Sequence, residues 1–269
     1  MSRLWIDGKQ GKAVVPFDSP LVQHGFGLFE TLATVDGCAV DGAAHLDRLL
    51  AGIARLGASA PDRAQLEAAV QEAAQSAPPS GRLKIIWSAD GHWYVEAAER
   101  DASLVEQPID AVLLPWRRDG HGPLAGLKSC SYADHAIGRR YATERGADEG
   151  LWRDARGRLI EGCWSNLFVW RRGALYTPSE RSGLLPGVVR GKVLAAAKRC
   201  GIPVHEGPLR LPRLLRAREA FVSSSLRGLC TLKTLDGRPI GAGKEGIRRR
   251  LATEIGHLHL DDPGATFAK

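Results

Sequence analysis

Leu127-Lys128-Ser129, Glu161-Gly162-Cys163-Trp164-Ser165-Asn166-Leu167-Phe168 and Gly183-Leu184-Leu185-Pro186-Gly187-Val188-Val189-Arg190 are the pieces of sequence on which the fold reading turns. The first sets a lysine just after a Gly-rich run, the second an acid at the end of a strand, and the third a Pro-Gly turn opening a helix. A desolvated lysine is a nucleophile, and a helix start offers free N–H groups and a favourable dipole to an anion. The segments between them read as a helix over 132–145 stopped by Gly146, then strands at 149–152, 158–161, 165–170 and 174–177.

Working outward, the helix that opens at Val188 runs to Cys200 and is stopped by Gly201. An edge strand at 203–206, a short helix at 211–216 and a strand at 220–223 lead into Ser223-Ser224-Ser225-Leu226-Arg227-Gly228. A hairpin turns at Asp236-Gly237, a helix begins near Lys244, and the last ten or so residues are expected to fray. Toward the N-terminus, short strands are predicted at 3–7 and 12–16. A strand from Leu28 turns at Asp36-Gly37, and helices cover 43–56 and 63–74. Strands follow at 82–88, 92–95 and 111–114. The Gly-rich, charged stretch after Trp116 predicts a boundary, giving domains at 1–116 and 122–269 with 117–121 as linker.

The chain of 269 residues is 44% hydrophobic, enough for a sizeable core. No apolar run approaches the roughly 18 residues of a membrane span, and the N-terminus enters a strand pattern directly, so a cytoplasmic protein without membrane association is expected. The five cysteines are odd in number and contain no C-x-x-C, which indicates neither a disulfide framework nor a metal site. The net charge of +7 is spread over helices and turns without a basic run, so no nucleic-acid partner is predicted. Arginine dominates that charge, with nine lysines against 28 arginines, so only nine side chains could bond an aldehyde.

The motifs Phe29-Glu30-Thr31, His45-Leu46-Asp47-Arg48, Leu127-Lys128-Ser129, Glu161 through Phe168, and Leu185 through Arg190 occur in the order and spacing of one family. In them the chain resembles the fold-type IV pyridoxal phosphate enzymes, the aminotransferase class IV family, over nearly its whole length. Within that family, Ser224-Ser225-Leu226-Arg227-Gly228 is most similar to the 4-amino-4-deoxychorismate lyases. The resemblance implies a two-domain α/β fold like that of D-amino-acid aminotransferase, with a small N-terminal and a larger C-terminal domain. It also implies pyridoxal 5'-phosphate in the cleft between them and a homodimer.

By the same resemblance, Lys128 bonds the cofactor aldehyde as an imine and Glu161 keeps the pyridine nitrogen protonated, with Ser165 and Asn166 hydrogen-bonding beside it. Arg48 takes the phosphate through its planar fork, helped by the Val188 and Val189 backbone N–H groups and by Ser224 and Ser225. Thr31 matches a threonine that assists proton transfer in the lyases. Where those lyases carry a longer Gly-rich loop with an arginine for the substrate carboxylate, this chain has Ser88-Ala89-Asp90-Gly91-His92-Trp93-Tyr94, so His92 or Arg227 would meet the carboxylate. The expectation is a lyase giving 4-aminobenzoate and pyruvate from a small amino substrate with a carboxylate, a step toward folate. A D-amino-acid or branched-chain aminotransferase is the alternative, and a non-catalytic member of the fold a third.

Overall fold

The computed structural model describes residues 3–12, 14–241 and 246–256. The chain divides into two compact units. The first holds the chain up to Ala102 together with Leu127–Tyr132, and the second holds Ser103–Gly126 and Ala133–Ile255. This differs from the division at 116–122. The strand predicted at 111–114 extends over Ile109–Arg117 and pairs within the second unit, while the Lys128 segment belongs to the first.

The first unit is a six-stranded sheet built from β1 (Arg3–Ile6), β2 (Lys9–Gln10), β3 (Gly27–Val35), β4 (Cys38–Ala39), β5 (Ser80–Ser88) and β6 (Trp93–Glu99), in the order β2-β1-β6-β5-β3-β4. The second strand of the first hairpin lies at Lys9–Gln10 and not at 12–16, because the chain already turns at Asp7-Gly8; Ala13 lies outside the described residues. At Asp36-Gly37 both residues take positive φ (48° and 77°), the backbone of the two-residue hairpin turn expected there. A helix α1 (Pro20–His24), capped by Ser19, precedes β3 and is absent from the sequence-based reading.

Alternation decides what each face of this sheet carries. Leu28, Leu32, Leu83, Ile85 and Trp87 are buried in a core with Leu46, Leu49 and Ile53 of helix α2 (Gly42–Arg55) and Leu66 and Val70 of helix α3 (Arg63–Ser76). Burying each such side chain is worth roughly 1.5–3 kcal/mol. The other parity of β3 and β5 puts Phe29, Thr31 and Lys84 on the opposite face, half-buried, with Thr31 directly across from Lys84.

The second unit is a ten-stranded sheet of β7 (Ile109–Arg117), β8 (Glu149–Arg153), β9 (Arg158–Gly162), β10 (Asn166–Arg171), β11 (Ala174–Thr177), β12 (Val204–Glu206), β13 (Leu209–Arg210), β14 (Glu219–Ser224), β15 (Gly228–Leu235) and β16 (Arg238–Pro239). Its order is β12-β11-β10-β14-β15-β7-β8-β9-β13, with β16 on β15. β9 and β10 are joined by only Cys163, Trp164 and Ser165, yet β14, β15, β7 and β8 lie between them in the pairing order. Three residues cannot span four strands about 4.8 Å apart, so the sheet curls until β9 meets β10.

Helix α4 (Ala133–Thr143) follows the Lys128 segment, α5 (Val188–Arg199) follows Gly187, and α6 (Leu211–Leu215) follows β13. α7 spans Ile247–Ile255, and the predicted start near Lys244 lies outside the described residues, as does the terminal segment 257–269. α5 and α7 pack Val189, Val193, Leu251 and Ile255 against Phe168 and Phe221, which stack at 5.0 Å. Among the described residues no helix is long and apolar enough to cross a membrane, and no cluster of metal-ligating side chains occurs.

Candidate active site

Lys128 is fixed on the first unit by its backbone. Phe29 N–H donates to Lys128 O at 2.8 Å, Cys130 N–H donates to Gly27 O at 2.8 Å, and Leu28 and Ser129 form a bridge. The segment thus lies along the start of β3, and Lys128 Nζ sits 4.4 Å from the Phe29 ring centroid and 5.4 Å from that of Tyr132. The two rings meet edge to face at 5.0 Å. Thr31 is two residues along the strand from Phe29 and shares its face, and Lys84 Nζ approaches the same ring at 5.3 Å. Lys84 was not singled out from sequence, where it is one polar residue in an alternating strand.

Glu30 points to the helix-covered face, where its carboxylate receives Arg48 Nε at 2.8 Å, Arg48 Nη2 at 2.6 Å and lies 2.7 Å from His45 Nδ1. Burial opposes the Glu30 charge, but Arg48 and His45 together outweigh it and hold the carboxyl down at about 2. Burial likewise pushes the His45 imidazole below its usual range despite Glu30. Arg48, expected at a phosphate, therefore has its fork engaged with an internal carboxylate. The His-x-x-Arg spacing that places both residues on one helix face toward β3 was the available signal.

In the second unit Glu161 is the penultimate residue of β9, is 4% exposed, and takes donors on both oxygens. Arg118 Nη1 donates to Oε1 at 2.5 Å, while Leu185 N–H at 3.0 Å and Asn166 Nδ2 at 3.4 Å reach Oε2. Asn166 Nδ2 also donates to Leu185 O at 2.9 Å. Arg118 falls in the stretch read as linker, so only the fold brings it to the acid.

Ser165 lies apart from Glu161's hydrogen bonds: its Oγ donates at 2.6 Å to a second buried acid, Glu149. Burial pushes the Glu149 carboxyl up to about 7, against the Ser165, Cys163 and Gly150 donors that favour its charge.

Val188 and Val189 open α5 behind Gly187, which has no side chain to cap the helix, and no acid occupies the first turn. A Cβ on Gly187 would lie 2.1 Å from Asn166 Oδ1, so glycine is needed for this approach. Ser224 ends β14, and its Oγ accepts the Arg227 N–H at 3.3 Å; Ser225 follows it in the turn. Ser223 stands directly across the ladder from Asn166, and its buried Oγ has no hydrogen-bond partner among the described residues.

Of the two candidates for a substrate carboxylate, His92 is exposed at a hairpin tip with Nδ1 2.8 Å from Asp7 Oδ2, which raises its pKa. Arg227 lies 5.7 Å over the Trp164 ring, with Arg139 at 4.2 Å on the same indole.

The residues present in each unit fit pyridoxal phosphate. In the first unit a half-buried amine is flanked by two rings. In the second a buried carboxylate is held by three donors, an uncapped helix start abuts that carboxylate's support, and the buried Ser223 hydroxyl across from Asn166 has no partner among the described residues.

Residues 27–234 match the amino-transferase class IV family. The chain belongs to that family and is a pyridoxal phosphate-dependent enzyme. It is 32% identical over 124 residues to the branched-chain-amino-acid aminotransferase of Escherichia coli strain K12, a match covering 46% of this chain and 40% of that one. The matched stretch thus spans less than half the length of the curated relatives.

Among solved structures it is similar to the branched-chain aminotransferase of Thermoproteus uzoniensis (TM-score 0.84, 23% identity, 96% of each chain). It is also similar to a Legionella pneumophila protein provisionally assigned as 4-amino-4-deoxychorismate lyase (TM-score 0.83, 24% identity, 90% of this chain and 94% of that one). These likenesses establish the two-sheet fold.

Proposed function

We propose that the chain is a 4-amino-4-deoxychorismate lyase, releasing 4-aminobenzoate and pyruvate. The observation that carries this reading is Thr31, whose place on the Phe29 face of β3 puts a hydroxyl on the side of the sheet where Lys128 Nζ lies over the Phe29 ring. When bound, the cofactor supplies an electron sink for the carbon bearing the substrate's nitrogen.

Lys128 would hold the cofactor covalently and, when its amine is free, would take the proton from that ring carbon, with Thr31 assisting the transfer. The ring carbon's bond to the enolpyruvyl oxygen would then break, the group leaving as enolpyruvate that takes up a proton to give pyruvate, and aromatisation of the ring draws the elimination forward. Glu161 partners the pyridine nitrogen and is oriented by Arg118, Leu185 and Asn166. The phosphate would be received by the Val188 and Val189 N–H groups with Ser224 and Ser225, and by Arg48 only if it can do so while keeping its ion pair with Glu30. Lys84 joins Arg227 and His92 as a candidate for the substrate carboxylate, being the cation beside Lys128 on the Phe29 face. A homodimer in the cytoplasm completes the reading.

The second reading is a D-amino-acid or branched-chain aminotransferase, and the names of the curated relatives favour the branched-chain form. The deciding experiment incubates cofactor-loaded protein with aminodeoxychorismate formed in situ, without keto acid. Both products at enzymatic rates support the lyase. Absence of product, with D-alanine or a branched-chain amino acid converting the cofactor to its amine form, selects the aminotransferase.

A further inference from the structure

The turn from β9 to β10 is the seam at which the second unit's sheet closes on itself, and among the described residues no ladder joins these two strands. At this seam Cys163 N–H reaches Gly150 O of β8 at 3.0 Å and shares its proton with a buried side-chain acceptor. Glu149, the first residue of β8 and 0% exposed, is that acceptor. Its Oε1 receives Cys163 N–H at 2.8 Å and Gly150 N–H at 2.9 Å, and its Oε2 receives Ser165 Oγ at 2.6 Å.

The packing leaves no slack. A Cβ on Gly162 would lie 2.4 Å from Ser165 Oγ and 2.5 Å from Glu149 Oε2, and Gly162 N–H closes the turn on Ser165 O at 2.7 Å. The residues immediately outside this turn are Glu161 and Asn166, which contact each other at 3.4 Å. Keeping a carboxyl fully buried is costly, and burial here pushes it up to about 7, so a purely apolar filler would be the cheaper occupant if only volume mattered.

We propose that Glu149 is a positioning residue for the reaction, holding the Gly162–Ser165 turn so that Glu161 and Asn166 keep the arrangement in which they serve the cofactor. This rests on the reading of Glu161 as the partner of the cofactor ring.

The test compares the full chain with Glu149→Ala, Glu149→Gln, Glu161→Gln and, as a core control, Leu251→Ala. The readouts are hydrogen exchange of the Cys163 amide, the dissociation constant for pyridoxal phosphate, and the pH dependence of the bound cofactor's visible spectrum. Glu149→Ala is expected to speed that exchange, to weaken cofactor binding by roughly tenfold or more, the scale of a buried donor left unpaired, and to shift the spectral titration. Glu149→Gln should restore part of each effect, since its amide oxygen still accepts one N–H.

Binding and spectrum no more altered by Glu149→Ala than by Leu251→Ala would overturn the proposal. Should Glu149→Ala not fold, a Glu149→Gln spectrum identical to wild type would do the same. Glu161→Gln separates the two levels. A shifted spectrum there with none in the Glu149 variants sinks only this inference, whereas an unshifted one, or a wild-type chain that takes up no cofactor, removes the reading of Glu161 and this inference with it.

Discussion

Leu185 donates its backbone N–H to Glu161 Oε2 at 3.0 Å, and its carbonyl accepts Asn166 Nδ2 at 2.9 Å. The acid near the end of β9 and the loop that opens α5 are therefore one hydrogen-bonded body. A group held by Glu161 at one end and by the first turn of α5 at the other would meet a preset spacing, which lowers the ordering cost of binding.

Gly187→Ala tests that body directly. The φ of Gly187 is −65°, so alanine strains no backbone, but its Cβ would fall 2.1 Å from Asn166 Oδ1 and force Asn166 aside. Weaker pyridoxal phosphate binding, by about tenfold on the scale of one disrupted buried hydrogen bond, is expected in an absorbance titration, with the thermal midpoint little changed. Wild-type affinity would mean that the Asn166 link does not matter to the site.

Lys128→Ala should abolish both turnover and the visible band of covalently held cofactor, while cofactor can still associate. Lys128→Arg should do the same, because arginine keeps the charge over the Phe29 ring but offers no nucleophilic amine at any working pH. Retained activity in either variant would remove Lys128 from the chemistry.

The extent to which all this could be read from sequence follows from the range of each signal. Most strands and helices were legible because alternation, helical spacing and Asp-Gly turns are local. At Asp236-Gly237 as at Asp36-Gly37, two consecutive positive φ values make the turn that the dipeptide suggests. The unit boundary was not legible, because β7 and the Lys128 segment are assigned by partners far along the chain, β8 and β15 for one and Gly27–Phe29 for the other. Lys128, Glu161 and Asn166 were singled out through motif order, and the fold sets Asn166 against Glu161. Arg118 and Glu149 were not, because their contacts exist only once the curled sheet brings β7, β8 and the 162–165 turn together.

Two buried acids should tilt the pH profile of stability in opposite directions. Glu30 has a folded-state pKa lowered to about 2, so its contribution is present above the ordinary value of 4.5 and is lost as pH falls from there through about 2. The amount is on the order of 3 kcal/mol. Glu149 has a folded-state pKa raised to about 7, so the protonated form is favoured in the fold and stability declines as pH rises from 4.5 to about 7. Denaturant midpoints measured between pH 3 and 8 should therefore lose their acid-side slope in Glu30→Gln and their neutral-side slope in Glu149→Gln. Glu30→Gln also breaks a buried pair with Arg48 and should cost about 3–5 kcal/mol at neutral pH.

Thr31 and Lys84 face each other across β3 and β5 on the Phe29 side, and their substitution separates proton transfer from substrate binding. Thr31→Val keeps shape and strand propensity but removes the hydroxyl, so lyase kcat should fall by roughly 10²-fold, the low end for a lost proton-transfer group, with KM little changed. Lys84→Met keeps the stem but removes the charge, so KM for a carboxylate-bearing substrate should rise by about tenfold or more, as for a lost charge-assisted hydrogen bond, while kcat changes less. Conversion of the cofactor to its amine form by an amino acid needs no hydroxyl at Thr31 in the aminotransferase reading. A Thr31→Val variant with an unchanged kcat for 4-aminobenzoate formation would therefore count against the lyase mechanism even if the lyase products were seen.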